Sequence, residues 1–129
     1  MIILDTHIWV WWVDENEKLT DNNLKIIEKY KSQGLGISII SCWEIAKLAE
    51  KNRLNFTCSV DEWLNSALNY PGIKLLDLTL PIIIQSTQLT EFHADPADQI
   101  IVATAKIYDC PLLTQDSKII KYPHIKIIS

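Results

Sequence analysis

Five short apolar runs, most of them separated by segments of helical length, are the feature that most constrains the fold of this chain. Each run holds three to seven residues, which is too short for a buried helix and typical of a strand covered on both faces. Strands joined by helices form crossover connections, and these produce a parallel sheet with helices on both faces. The predicted strands are residues 2–4, 35–41, 73–78, 111–114 and 125–128.

The size and composition of the chain favour one domain over residues 1–129. About half of the chain is apolar (48%), which is enough for a substantial core. Gly is scarce, the Pro residues are scattered, and no repeat or linker is visible. We therefore predict an α/β protein, a three-layer α/β/α sandwich with a mainly parallel central sheet of about five strands.

Residues that favour helix N-termini stand before the segments that connect the strands. Thr6 is predicted to cap a short helix over residues 7–13, and Asp95 is predicted to cap an apolar helix that comes after it. Ser41 stands three residues before Glu44, which is the spacing of a capping box. The helices are therefore predicted to begin just beyond the carboxyl ends of the strands.

The charge balance and the cysteines limit the kinds of protein to consider. The net charge of −4 comes from 12 basic and 16 acidic residues, so a nucleic-acid binder with a broad basic stripe is not indicated. The same balance leaves room for carboxylates that a metal cation neutralises. Cys42, Cys58 and Cys110 lack zinc-site spacing and predict reduced thiols in a cytoplasmic protein. Asp5 and His7 interrupt the N-terminal apolar run, so neither a signal peptide nor a membrane span is expected.

Four acidic residues from remote segments are predicted to meet at one edge of the sheet. Asp5 follows the first strand and Asp116 follows the fourth, while Glu44 and Asp98 fall in the first turns of predicted helices. In open α/β sheets, ligands bind beyond the carboxyl ends of the strands, where the helix N-termini also lie. Carboxylate oxygens are hard ligands that suit Mg²⁺ or Mn²⁺. The pattern therefore predicts a divalent-metal site.

Each acid also has a structural explanation. Asp98 alone would be an ordinary first-turn acid that meets the helix dipole, Glu44 half of a capping box, and Asp116 a helix cap. Asp5 is the hardest to explain in this way, because burying a carboxylate at a strand end is costly unless something pairs with it. The predicted convergence of all four favours a functional site, whereas Asp95 is expected to be the N-cap of its helix.

The chain resembles the PIN-domain ribonucleases of the VapC toxin type. The resemblance covers essentially the whole chain and rests on four segments in family order. They are "ILDTHIWVWW", "ISIISCWEIAKLAEKNRL", "HADPADQIIVATA" and "LLTQDSKIIKY". One departure is Gln99, where relatives often carry Arg.

The resemblance implies a metal-dependent endoribonuclease, the toxin of a toxin–antitoxin pair, that acts on RNA. It implies a homodimer silenced by a cognate antitoxin. The catalytic acids would be Asp5, Glu44, Asp98 and Asp116. Thr6 and Thr114 match polar positions that hold the acids in place in the family.

The chemistry of the four acids suggests separate roles. Asp5 and Asp98 would bind metal directly, Asp116 directly or through water, and Glu44 would orient or deprotonate the attacking water. Lys47 follows Glu44 by three residues and could contact an RNA phosphate, or it could belong to a solvated face with Glu–Lys pairs.

The residues are also compatible with other functions. The chain could be a catalytically inactive binding module of the same fold, or a metal-dependent nuclease or phosphatase that acts on another phosphoester. The tryptophans could stack on unpaired bases, or enter the core or a partner interface. His7 and His93 are expected near the acids as hydrogen-bonding neighbours rather than as metal ligands.

Overall fold

A five-stranded parallel sheet forms the centre of the computed structural model, which describes all 129 residues. The strand order is β3-β2-β1-β4-β5, so the first strand of the chain lies in the middle. β1 and β2 are completely buried, as their unbroken apolar sequences predict. The strands are β1 (Ile2–Leu4), β2 (Leu35–Ser38), β3 (Ile73–Leu76), β4 (Leu112–Leu113) and β5 (Ile127–Ile128).

Seven helices connect the strands and cover the sheet. None of them is long and apolar enough to cross a membrane. The helices are α1 (Thr6–Val13), α2 (Asp21–Tyr30), α3 (Ile39–Glu50), α4 (Val60–Leu68), α5 (Leu80–Ser86), α6 (Pro96–Tyr108) and α7 (Ser117–Ile120).

The core consists of two apolar clusters, one on each face of the sheet. Ile2 and Leu4 of β1 belong to a cluster of 13 buried residues, and Ile3, which points the other way, belongs to a cluster of 8. In the first cluster, Trp9 packs edge to face against Trp63 with ring centroids 5.4 Å apart. The predicted three-layer sandwich with a parallel sheet is therefore confirmed.

Gly36 of β2 lies directly beneath two side chains of the second cluster. A Cβ atom at this position would lie 2.7 Å from Cδ1 of Ile3 and 2.9 Å from Cδ1 of Leu76. Both distances are shorter than carbon atoms tolerate, so any larger residue would force the side chains of Ile3 and Leu76 to shift. The glycine therefore leaves room for these two side chains to pack over β2.

Three helix starts differ from the sequence prediction. Asp5, not Thr6, is the N-cap of α1, and its side chain accepts a hydrogen bond from the backbone N–H of Thr6. α3 begins at Ile39 with Ser38 as its cap, so the predicted capping box between Ser41 and Glu44 is wrong. The ladder between β2 and β3 ends at Ser38, which lets the helix start earlier. The short helix α7 has no counterpart among the predicted helices, although Asp116 caps it, as the structural explanation of that residue predicts.

Candidate active site

The four predicted acids lie together beyond the carboxyl ends of β1, β2 and β4. Asp5 ends β1, Asp116 caps α7 just after β4, and Asp98 lies in the first turn of α6. Glu44 lies in the second turn of α3, because that helix begins earlier than predicted. Charges on Asp5, Asp116 and Glu44 all raise the pKa of Asp98. Four segments that are far apart in the chain therefore share one electrostatic environment.

Asp5 is held rigidly at the end of the central strand. The residue is only 6% exposed. Oδ1 accepts a hydrogen bond of 2.8 Å from the Thr6 backbone N–H, and Oδ2 accepts one of 2.7 Å from the Thr114 hydroxyl. Burial raises the pKa of Asp5 and these hydrogen bonds lower it, while the charge on Asp116 raises it further. The carboxylate is thus oriented by two donors but remains in an environment that disfavours its charge.

Thr114 joins two of the acids through one hydroxyl group. This fully buried residue donates to Asp5, and its Oγ1 accepts a hydrogen bond of 3.0 Å from the Asp116 backbone N–H. Thr114 thereby fixes the start of α7 relative to the end of β1. Thr114 therefore lies where it can hold Asp5 and Asp116 in position, the supporting role that the resemblance implies.

Replacing Thr114 with Val should destabilise the protein by about 1.5–3 kcal/mol, because a buried carboxylate would lose a hydrogen bond. Thr114→Ser, which retains the hydroxyl, is the matched control and should lose less. The free energy of unfolding from urea titration measures both. Equal stability of Thr114→Val and the parent protein would show that the bond to Asp5 contributes little.

Asp98 has a strongly perturbed carboxyl group. The residue is 8% exposed, and its backbone N–H donates to the side chain of Asp95, the predicted N-cap, at 3.1 Å. Burial, followed by the charges of Asp5, Asp95, Asp116 and Glu44, raises the pKa of Asp98 to about 8. A pKa this high indicates that the buried site holds more negative charge than the cationic groups of the protein neutralise.

His93 approaches Asp98 from the loop before α6. Its Nε2 atom lies 3.1 Å from Oδ2 of Asp98, but the two atoms are not aligned as a hydrogen bond. The His93 backbone carbonyl accepts a hydrogen bond of 3.0 Å from the side chain of Gln99. His93 is therefore a neighbour of the acids, as expected, and Gln99 holds the loop that presents it.

Glu44 contributes an unsatisfied carboxylate oxygen. Oε1 is buried and has no hydrogen-bond partner. Burial raises the pKa of Glu44, and the charge on Asp5 raises it further. The nearby Thr6 hydroxyl donates its hydrogen bond to Ser41 of the same helix at 2.9 Å, so its proton is not directed at Glu44. An orphaned oxygen of this kind is costly unless a cation or a proton satisfies it.

The donors at this edge fit a divalent cation. They are carboxylate oxygens, which Mg²⁺ and Mn²⁺ favour, and both the orphaned oxygen of Glu44 and the raised pKa of Asp98 indicate a deficit of positive charge. No group of three or more Asp, Glu, His or Cys side chains is arranged to hold an ion as it stands. Mg²⁺ is commonly held by one or two carboxylates and several waters, so direct ligation by fewer side chains is compatible with this ion.

Two clefts flank the acids. The first, of about 360 Å³, is lined by Asp5 and Asp116 and also by His7, Trp11 and Lys18. Sequence reasoning missed Lys18, because a lysine in a polar loop carries no signal of proximity to a site. The second cleft, of about 390 Å³, lies beside Glu44. The acids therefore lie between two concave surfaces on which an extended ligand could rest.

Lys47 lines the second cleft but is not free of a partner. Its Nζ lies 3.4 Å from Oε1 of Glu50, one turn further along α3. Both side chains are largely exposed, and such pairs contribute about 0.2–1 kcal/mol. The weak pair leaves Lys47 able to turn towards a phosphate.

The fold and the acidic edge define a class of protein, an α/β/α domain with a carboxylate site suited to a divalent cation. The family model described as "PIN domain" matches residues 2–125. The chain belongs to the PIN-domain family, and the resemblance noted in the sequence is thereby confirmed.

Known proteins similar to this chain agree with that membership. Ribonuclease VapC22 of Mycobacterium tuberculosis is 29% identical over 124 residues, which are 95% of this chain and 92% of the relative. VapBC2 from Rickettsia felis, solved bound to a promoter DNA fragment, has a TM-score of 0.74 at 17% identity and covers 99% of this chain and 98% of its own. FitAcB from Neisseria gonorrhoeae has a TM-score of 0.72 at 18% identity, with coverages of 100% and 97%. At these identities the solved structures support the fold.

Proposed function

We propose that the protein is a divalent-metal-dependent endoribonuclease and the toxin of a toxin–antitoxin pair. The observation that carries the proposal is the convergence of Asp5, Glu44, Asp98 and Asp116 on one sheet edge with a raised pKa of Asp98. Metal dependence is general among PIN-domain nucleases of the VapC type. The similarity to Ribonuclease VapC22 over nearly the whole of both chains supports RNA as the substrate.

The residues of the site divide the chemistry among them. Asp5 and Asp98 would hold Mg²⁺ or Mn²⁺, and Asp116 would complete the site directly or through water. A divalent ion bound there would lower the pKa of a bound water and neutralise charge on the phosphate. Glu44 would orient the attacking water and accept its proton, a task that the raised pKa of its carboxyl group suits. Thr6 and Thr114 keep the acids in position.

Protein partners are suggested by the comparisons and by the surface. Several structurally similar proteins were solved as VapBC toxin–antitoxin complexes, which supports a cognate antitoxin as a partner. Helix α5 exposes Leu80, Ile83 and Ile84, and Leu80 is 67% exposed. Clustered apolar side chains of this kind are typical of protein interfaces, and we propose a homodimer.

The wild-type protein should cleave RNA in the presence of Mg²⁺ or Mn²⁺, and a chelator should abolish the cleavage. The measurement is electrophoresis of a labelled RNA beside DNA of the same sequence, with p-nitrophenyl phosphate as a phosphomonoester control. We expect cleavage of the RNA only. Cleavage of the DNA or of the phosphomonoester in preference to RNA would identify another phosphoesterase, and metal binding without any hydrolysis would identify a binding module.

A further inference from the structure

Trp43 is exposed beside the acids although tryptophan is usually buried. Its relative exposure is 52%, whereas Trp9, Trp12 and Trp63 are buried in the core. It immediately precedes Glu44 on α3, whose buried face is formed by Ser41 and Ile45. Packing within the domain therefore does not account for the position of this side chain.

Three cations line the same cleft as Trp43. Trp43, Lys47 and Lys51 succeed one another at intervals of four residues, so they share one face of α3 and its C-cap. Arg53 joins them from the next loop, which a hydrogen bond of 2.8 Å between its backbone N–H and the Leu48 carbonyl folds back onto the helix. Glu44 lines the same cleft, so this cationic face leads directly to the acidic edge.

Glu44 and Asp95 line the same cleft, but neither forms an ion pair with these cations. Lys51 and Arg53 form no ion pair within the chain, and Lys47 forms only the exposed pair with Glu50. The chain as a whole carries a net charge of −4, so a face with three cations differs in sign from the net charge of the protein. Phosphate groups of a bound strand would provide the missing partners.

We propose that Trp43 is a stacking platform for an unpaired RNA base next to the cleaved bond, and that Lys47, Lys51 and Arg53 contact the adjoining phosphates. This inference rests on the proposed function and adds the form of RNA that the site accepts. A groove that combines cations with an exposed aromatic ring is the pattern of single-strand recognition, because every base offers a face for stacking. A continuous A-form duplex keeps its base faces stacked on one another, so it could not use Trp43.

Binding should be measured on a background that cannot cut RNA. The parent is the Asp5→Asn variant, and the probes are a short fluorescent oligouridylate and a fluorescent RNA duplex of equal length. Trp43→Ala should weaken binding of the single strand about tenfold, which corresponds to about 1.4 kcal/mol, and leave duplex binding unchanged. Trp43→Phe should restore most of the affinity.

The matched control is Tyr108→Ala, which removes an aromatic side chain of 41% exposure at the far end of α6. It should leave binding of both probes unchanged. The midpoint of thermal unfolding should also be the same for Trp43→Ala and its parent, because the ring is exposed. In the cleaving wild-type background, Trp43→Ala should raise KM for unpaired RNA more than it lowers kcat.

The phosphate contacts have their own test. Substituting both Lys51→Gln and Arg53→Gln should reduce the slope of log affinity against log salt by about 1.4, at about 0.7 for each single-strand phosphate contact. The control is the double substitution of Lys29→Gln and Lys106→Gln, on α2 and α6, which makes the same change of charge outside the cleft. The slope of this control should be steeper than that of the Lys51→Gln and Arg53→Gln variant.

The outcomes separate this inference from the function on which it rests. If the parent binds oligouridylate equally well with and without Trp43, the stacking platform is wrong, and Trp43 is instead a contact for a protein partner. RNA cleavage by the wild-type protein would leave the proposed function standing in that case. If the parent binds neither form of RNA and the wild type cuts none, both proposals fail.

Discussion

Substituting Asn for Asp5 or Asp98 should lower the rate of RNA cleavage about a thousand-fold, because each change removes a metal-binding carboxylate whose contribution is several kcal/mol. Asn has the same shape, and at position 5 its amide oxygen can still accept a hydrogen bond from a donor that now serves Asp5. The measurement is the initial rate of cleavage of a labelled RNA with saturating Mn²⁺, together with a circular dichroism spectrum that reports folding.

Asp109→Asn provides the control for both substitutions. Asp109 ends the same helix as Asp98 but at the opposite end, and its positive φ of 51° is a conformation that Asn tolerates well. This variant should cleave RNA at the wild-type rate. A folded Asp5→Asn or Asp98→Asn protein that also cleaves at that rate would remove the residue from the metal site.

Without divalent ions, the protein should become less stable as the pH rises. The Asp98 carboxyl has a pKa of about 8 in the folded chain and an ordinary value of 3.8, so between these values the folded state holds a proton that the unfolded state has released. Its contribution to stability is therefore complete below the lower pKa and is lost as the pH rises through the higher one. Between about pH 5 and 8 we expect the free energy of unfolding to fall by on the order of 3 kcal/mol.

Urea titrations in a chelating buffer measure this dependence. Asp98→Asn should remove most of it, and the remainder should have the same sign because burial also raises the pKa of Asp5 and Glu44. Adding Mn²⁺ at the higher pH should restore stability to the parent protein and less to the variant. A stability that rises over this interval in the parent would contradict the assignment of a raised pKa to Asp98.

The parallel sheet and the meeting of the acids can be predicted from local sequence because both depend on simple rules. A buried strand needs an unbroken apolar run, as in β1 and β2, and a parallel sheet brings the residues just beyond its strands to one edge. The exact starts of α1 and α3 cannot be predicted in this way. Asp5 and Thr6 both make good caps, as do Ser38 and Ser41, and the choice depends on where the strand ladder ends.

Other features of the site depend on tertiary contacts that no local pattern carries. The hydroxyl of Thr114 joins Asp5 to the backbone of Asp116, and its bond to Asp5 connects residues 109 positions apart. The exposure of Trp43 depends on which face of α3 meets the sheet, and the earlier start of that helix also moves Glu44 to the second turn. Helix α7 has four residues, too few to show a helical period.

The order of the strands determines when, during synthesis of the chain, the acidic edge can assemble and RNA cleavage can begin. The central strand β1 leaves the ribosome well before β4 and the segment that carries Thr114 and Asp116. Asp5 therefore has no hydroxyl partner until Thr114 has left the ribosome. A nascent chain that lacks β4 cannot assemble the acidic edge, so a cell that makes this protein meets a competent enzyme only after β4 has been made.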